Sequence, residues 1–451
     1  MEKTYGLTEG KILRSLMRFA VPVFFTLFLQ ALYGGVDLLV VGQFAQTVDV
    51  SGVATGSTLL STLTMIITGL SMGITILVGE KIGQREPIEA GKVIGCGICL
   101  FAIFAGILTL FMVCGAEMLA HLLHAPTEAF EQTVMYIKVC GIGAIFIVSY
   151  NVLGAIFRGI GDAKTPLITV LIACIVNIVG DLLLVAVFHL GALGAAIATV
   201  AAQAVSVLVS LVFIRKKELP FHFSKEYLRF DKKRMGKELR LGAPVALQEL
   251  FVGVSFLVIQ AVVNSLGVVL SAGVGVAEKV CAFIMLVPSA YMQSMSAFVA
   301  QNMGAGNPQR AKKALHYSIA TAFVVGLIML FLLFLYGDIL SSVFSKEQEV
   351  VYAAHDYLKA YAIDCLLNPI LFCFIGFYNG CEKTLFVMIQ GFIGAFLVRI
   401  PVVFMISRIP GATLFQIGMG TPASSLVQII LCIGMYIITI KAKKDDTQIL
   451  V

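Results

Sequence analysis

The sequence predicts an all-α polytopic membrane protein with twelve transmembrane helices, arranged as two six-helix lobes that repeat each other in parallel orientation. Three observations carry this prediction. Of 451 residues, 59% are hydrophobic and only 13% charged, and mean hydropathy is +0.97; a soluble chain carries about 25% charged residues. Apolar runs of about 18 residues or more recur along the whole chain, each long enough to cross a bilayer. The two halves also resemble each other at a steady offset.

Runs bounded by polar residues, Gly or Pro predict spans near 17–44, 52–78, 93–116, 133–157, 166–188, 192–214, 243–265, 273–300, 316–337, 355–379, 384–407 and 421–440. Lys3, Lys11, Arg14 and Arg18 precede the first. That run is too long for a signal peptide and lacks a small-residue cleavage pattern, so it reads as an uncleaved span. With alternate connections on opposite sides, 26 of the 32 Lys and Arg residues fall on the side that holds both termini. The positive-inside rule then predicts cytoplasmic termini in the cell membrane. The longest basic stretch, 215–240, falls between spans six and seven. This gives an N-terminal lobe over 1–214, a cytoplasmic basic linker over 215–242 and a C-terminal lobe over 243–451. The linker reads as a topology-fixing segment, with anionic lipid as its alternative partner.

The net charge of +6 lies in connections and implies no nucleic-acid partner. Ten cysteines are scattered, mostly in apolar segments. The closest pair, Cys96 and Cys99, has no His or carboxylate at ligand spacing, so these thiols read as small hydrophobes and no metal site is expected.

The repeat is explicit. "GEKIGQREPIEAGK" (79–92) matches "AQNMGAGNPQRAKK" (300–313), pairing Gly83 with Gly304 and Pro87 with Pro308. "RFAVP" (18–22) matches "RLGAP" (240–244), "YIKV" (136–139) matches "YLKA" (357–360), and "FRGIGDAKT" (157–165) matches "YNGCEKT" (378–384) after a two-residue deletion. The offset stays between 219 and 222. Parallel repeats are related by an axis along the membrane normal and place a substrate path between two lobes.

Charge inside such spans is costly, about 2.5–3.5 kcal/mol for an acid at a helix centre on insertion scales. Asp37 nevertheless interrupts an otherwise uncharged run from Phe19 to Gln46. It lies about 20 residues along the first span, or ~30 Å at 1.5 Å per residue, which predicts the outer half of the membrane. Asp181 in span five and Thr199 in span six fall at matching depth. Asn177 precedes Asp181 by one turn, and Tyr33 and Gln30 share a face with Asp37. Buried carboxylates repel each other and resist desolvation, so at least one should take up a proton readily, with transient Na⁺ at Asp37 and Asp181 as the alternative. Pro22, Gly34 and Gly35 are the predicted weak points at which the first helix bends. Each acid alone also has a bland reading as a hydrogen-bonded structural group, and Asn177 and Thr199 as ordinary interhelical links.

The second half is not a copy. Asp37 aligns near Ile259 and Asp181 near Ile400, while Glu249, Glu278, Lys279, Asp364 and Arg399 are additions. Glu278 with Lys279 is expected to pair locally or snorkel, and Arg399 to reach toward the outer interface. Met285, Met292 and Met295 are candidate cavity residues, since plastic Met-rich surfaces suit promiscuous binding; ordinary packing is the plainer reading.

The "P…Q..Y…D" pattern of span one, "N…D" in span five and the "GxxxP" loop after spans two and eight resemble the multidrug and toxic compound extrusion (MATE) family over essentially the whole chain. The resemblance implies a V-shaped pair of lobes and a monomer embedded in the lipid bilayer. It also implies export of organic cations and amphipathic, drug-like small molecules by alternating access, coupled to inward flow of H⁺ or Na⁺, with no cofactor. By resemblance, Asp37, Asn177, Asp181 and Thr199 match the family's first-lobe cation site, with Gln30, Tyr33 and Asn151 nearby. Some members use acids of spans seven and ten, which makes Asp364, with Glu249 and Glu278, a candidate second-lobe site. Glu249 lies closer to the cytoplasmic end than that pattern expects. A lipid-linked oligosaccharide flippase of the same superfamily is the alternative, but it usually needs a basic central cavity. A major-facilitator transporter would carry a Gly-Asp-Arg-Gly-Arg loop that "GEKIGQREP" lacks. An enzyme is not expected, because no metal spacing, Ser–His–Asp set or P-loop is visible.

Overall fold

Lipid offers no hydrogen bonds to a backbone, so a spanning chain must satisfy its own polar groups as helix or closed barrel. The computed structural model describes residues 6–448, and every regular element among them is helical. Lys3 lies outside the described residues, as do the side chains of Lys441, Lys443 and Lys444. Eleven helices are individually long and apolar enough to span: α1 Ile12–Phe44, α2 Thr47–Gly83, α3 Pro87–Cys114, α5 Lys164–Val187, α6 Gly191–Lys216, α7 Lys232–Asn264, α8 Val268–Gly304, α9 Pro308–Ser342, α10 Gln348–Gly380, α11 Thr384–Ser407 and α12 Leu414–Ile438. The pair Thr127–Ile142 and Ala144–Ile160, bent by 55°, makes the twelfth, α4.

Local chemistry sets the boundaries. Pro87 and Pro308, paired by the repeat, both open helices, where a missing N–H costs nothing. The turns before them are also alike: Arg85 and Gly306 adopt left-handed φ of 59° and 71°. α4 ends at Gly161, φ 86°, with Asp162 N–H donating to Phe157 C=O at 2.9 Å in a Schellman closure. Asp162 then caps α5 by accepting the N–H groups of Lys164 and Thr165, both at 3.0 Å. The α4 bend falls at Gly143, where any side chain would run into Val200 of α6.

The chain divides into two compact units, one of Met1–Ala246 with Ala300–Pro308, the other of Leu247–Val299 with the chain from Gln309 onward. In the first unit α5 packs on α6, α2 on α4, and α1 on α5. The basic stretch after α6 lies against this unit rather than hanging free. His222 N–H donates to Pro87 C=O at 3.1 Å, and a side chain at Gly91 would collide with the His222 carbonyl. Lys217 pairs with Asp162 at 3.0 Å, Arg234 with Glu89 at 2.8 Å and Lys237 with Glu80 at 3.2 Å. Asp231 accepts the N–H groups of Lys233 and Arg234 at the start of α7, and these bonds, with the Arg234 guanidinium, hold its carboxyl below the usual carboxylate range. In the second unit α10 is the central helix, packing on α8 and α12, with a core that includes Ile259, Val274, Tyr357, Tyr361 and Val403.

Gly83 and Gly304 meet each other's helices within the first unit. A Cβ on Gly83 would stand 2.0 Å from the Gln301 carbonyl oxygen, and one on Gly304 2.1 Å from that of Glu80. Gly304→Ala should therefore lower thermal stability by about 1–3 kcal/mol, the cost of overpacking. Gly34→Ala, which meets nothing within 4 Å, should not. Equal melting behaviour of the two variants would contradict the close approach.

Candidate functional site

Asp37, in the last third of α1, is 6% exposed, and Asp181, in the last third of α5, is fully buried. Thr199 of α6 donates its hydroxyl to Asp37 Oδ2 at 3.0 Å. Asp181 and Asn177 lie within interaction range of the same carboxylate, and Tyr136 of α4 stands beside it. Asp37 Oδ1, both Asp181 oxygens and both polar atoms of Asn177 are buried with no partner. Buried polar atoms are nearly always hydrogen-bonded, so such a cluster calls for an explanation. Four oxygens, two of them on one carboxylate, form the donor set that a small hard cation or a proton needs. After Asp181 the helix loosens into π-type turns over Leu182–Val187, a device that recurs at functional sites.

The polar face of α1 continues one turn at a time. The Tyr33 hydroxyl accepts from Gln203 Nε2 at 3.0 Å, and Gln30 donates to the Tyr150 hydroxyl. Asn151 is not joined to this cluster. Its amide oxygen accepts from Thr68 at 3.1 Å and its nitrogen donates to Ile147 C=O at 2.8 Å, so it links α4 to α2. Pro22 sits inside α1, and its carbonyl accepts the Thr26 hydroxyl at 2.8 Å. Gly34 and Gly35 face open space.

The second unit gathers a different set. Asp364 on α10 is fully buried and accepts from Asn368 Nδ2 at 2.6 Å. Arg399 departs from expectation: it does not reach an interface but turns inward. It is 4% exposed, donates Nη1 to the Ser255 hydroxyl at 2.9 Å and lies 4.7 Å over the Phe256 ring. Glu278 makes no ion pair with Lys279, and Glu249 is half-buried. Met285 receives a weak contact from Asn368 at 3.5 Å. Met292 and Met295 are packed inside the unit against Gly376, with the Met295 sulfur accepting from Ser318 at 2.8 Å.

Gln203, Tyr150, Tyr136 and Asn368 were not singled out in the sequence. Gln203 follows Thr199 by four residues and Asn368 follows Asp364 by four, so the one-turn rule that joined Asn177 to Asp181 finds both. Nothing in the sequence marks Tyr150 or Tyr136.

An all-helical, twelve-span repeat with polar clusters buried in its units is the organisation of a polytopic transporter. The MatE family model matches residues 22–183 and again 244–405. The chain therefore belongs to the MatE family, whose members are transporters and not enzymes, and it is a multi-pass membrane protein. It is 25% identical to the probable multidrug resistance protein YoeA of Bacillus subtilis, covering 98% of this chain and 97% of that protein. It is also 25% identical to the multidrug export protein MepA of Staphylococcus saprophyticus, covering 91% of each. A solved structure described as an outward-facing multidrug resistance MATE family transporter shares the fold, with a TM-score of 0.92 at 20% identity, covering 98% of this chain and 99% of that one.

Thr199→Val removes the single hydrogen bond that Asp37 receives and should cost about 1–3 kcal/mol of thermal stability. Thr199→Ser keeps the hydroxyl and should retain most of it. Equal losses would show that volume, not the hydroxyl, matters there.

Proposed function

We propose that this chain is a secondary active exporter of organic cations or amphipathic drugs, driven by inward flow of H⁺ or Na⁺ exchanged at Asp37 and Asp181. The observation that carries the reading is the set of unpartnered oxygens around two buried carboxylates. Two ionised acids side by side in a low-dielectric interior repel each other, while one proton or one Na⁺ between them restores near-neutrality. Loading and release of that ion changes the local charge by one unit, enough to bias α1 at Pro22 and its glycines. Asn177 and Thr199 supply neutral oxygens to the same ion, and Tyr33, Gln30 and Gln203 form a hydrogen-bonded face beside it. The relatives' names, multidrug resistance and multidrug export proteins, support drug-like substrates. The Lys and Arg distribution supports cytoplasmic termini in the cell membrane. Transport by alternating access in a monomer completes the reading. A flippase is disfavoured because the charges in the first unit's buried cluster are acidic.

In proteoliposomes loaded with a fluorescent organic cation, an imposed pH or Na⁺ gradient should drive substrate movement by the unaltered protein. Asp37→Asn and Asp181→Asn should each abolish gradient-driven movement while melting cooperatively. Undiminished driven transport by both variants would remove the ion from this site.

A further inference from the structure

We propose that Arg399 is a built-in cation occupying, in the second unit, the role that an exchanged ion plays in the first, with Asp364 as its counter-charge. This rests on the reading of Asp37 and Asp181 given above. The repeat aligns Lys164–Thr165 with Lys383–Thr384 at an offset of 219. That offset places Arg399 at the position of Gly180, next to Asp181. At an offset of 222, Thr421 falls at the position of Thr199. Both helices also carry π-type turns beside these positions, over Leu182–Val187 just after Asp181 in α5 and over Ile393–Arg399, ending at Arg399, in α11. The second unit thus has Ile400 where the first has Asp181, and carries a guanidinium fixed to the chain one residue earlier.

The surroundings agree with a resident charge pair. Arg399 is pinned by the Ser255 hydroxyl and the Phe256 ring, and Asp364 by Asn368. The ring under Arg399, Phe256, packs on the core cluster that holds Tyr361 and Cys365, which flank Asp364 on α10, so the two buried charges share one neighbourhood without forming an ion pair, and Arg399 Nε and Asp364 Oδ1 have no hydrogen-bond partner. The other titratable groups around them are Tyr357, Tyr361 and Cys365 on α10 and Cys281 and Glu278 on α8, with the Ser425 hydroxyl approaching from α12. A guanidinium does not lose its proton in a protein, and a buried charge deprived of its partner is strongly destabilising. Asp364 therefore needs no exchanged ion, and coupling is confined to the first unit.

The test is thermal unfolding of the full chain in lipid nanodiscs, across a pH series and a Na⁺ series, for Arg399→Gln, Arg399→Lys and Arg399→Gln with Asp364→Asn. Arg399→Gln should melt lower and gain an upward shift on added Na⁺ or lowered pH beyond that of the unaltered protein, because Asp364 has lost its counter-ion. Arg399→Lys should keep the original ion dependence. The double variant should lose the extra shift and melt higher than Arg399→Gln. An ion response of Arg399→Gln identical to the original, or a double variant no more stable than Arg399→Gln, would overturn the pairing. Repeating the series with Asp37→Asn separates the two readings. An extra shift that persists there supports the second-unit pair whatever becomes of the first-unit site, and an extra shift abolished by Asp37→Asn would assign it to the first unit and overturn this one.

Discussion

A carboxylate inside a bilayer must be matched by hydrogen bonds, an opposite charge or a bound ion, and this constraint organises the protein. Asp37 and Asp181 are buried in the first unit with one hydrogen bond between them that the protein supplies. Insertion of each costs about 2.5–3.5 kcal/mol, and a hydroxyl donating to a charged acceptor returns about 1.5–3 kcal/mol. One such bond does not offset two acids. Asn177 and Asp181 also lie within interaction range of Asp37, and in the proposed function a shared proton or cation supplies the rest of the compensation.

The packing of the first unit keeps that arrangement in place. α1 and α6 each deliver one oxygen-bearing side chain to the same point and α5 delivers two, and the α4 bend at Gly143 lets α6 approach closely. At the other end of the helices, Gly83 and Gly304 allow two backbones to touch, and the ion pairs of Arg234 and Lys237 tie the start of α7 to α3 and α2. Such features give the buried Asp37 and Asp181 cluster a closely packed frame. The second unit, built from the same repeat, surrounds its buried acid differently, with Asn368 donating to Asp364 and a buried Arg399 bonded to Ser255.

Most of the architecture could be read from the sequence because the bilayer enforces both length and hydropathy. Helix ends could not. Span seven was expected from 243, yet α7 begins at Lys232, because its first turns are basic and rest on the first unit rather than in lipid. Likewise α9 starts at Pro308, ahead of the apolar run expected from 316. Span four was expected as a single run near 133–157, and the bend at Gly143 that divides it leaves no mark in hydropathy. In the site, counting residues along each span brought Asp37, Asp181 and Thr199 to one depth, and the structure brings them together. Asn151 stands apart because its neighbours in α2 and its own helix satisfy it. The direction of Arg399 was missed because a π-type turn rotates the helix face, and apolar composition does not register that rotation.

The central claim is that the Asp37 and Asp181 pair holds a proton that a cation can replace. Difference infrared spectroscopy of the lipid-embedded protein observes this directly through the carbonyl stretch of a protonated carboxyl group. On raising pH or adding Na⁺, a protonated-carboxyl band should disappear, and that change should be missing from Asp181→Asn. A spectrum that does not respond to either ion, or one whose response survives that substitution unchanged, would contradict it.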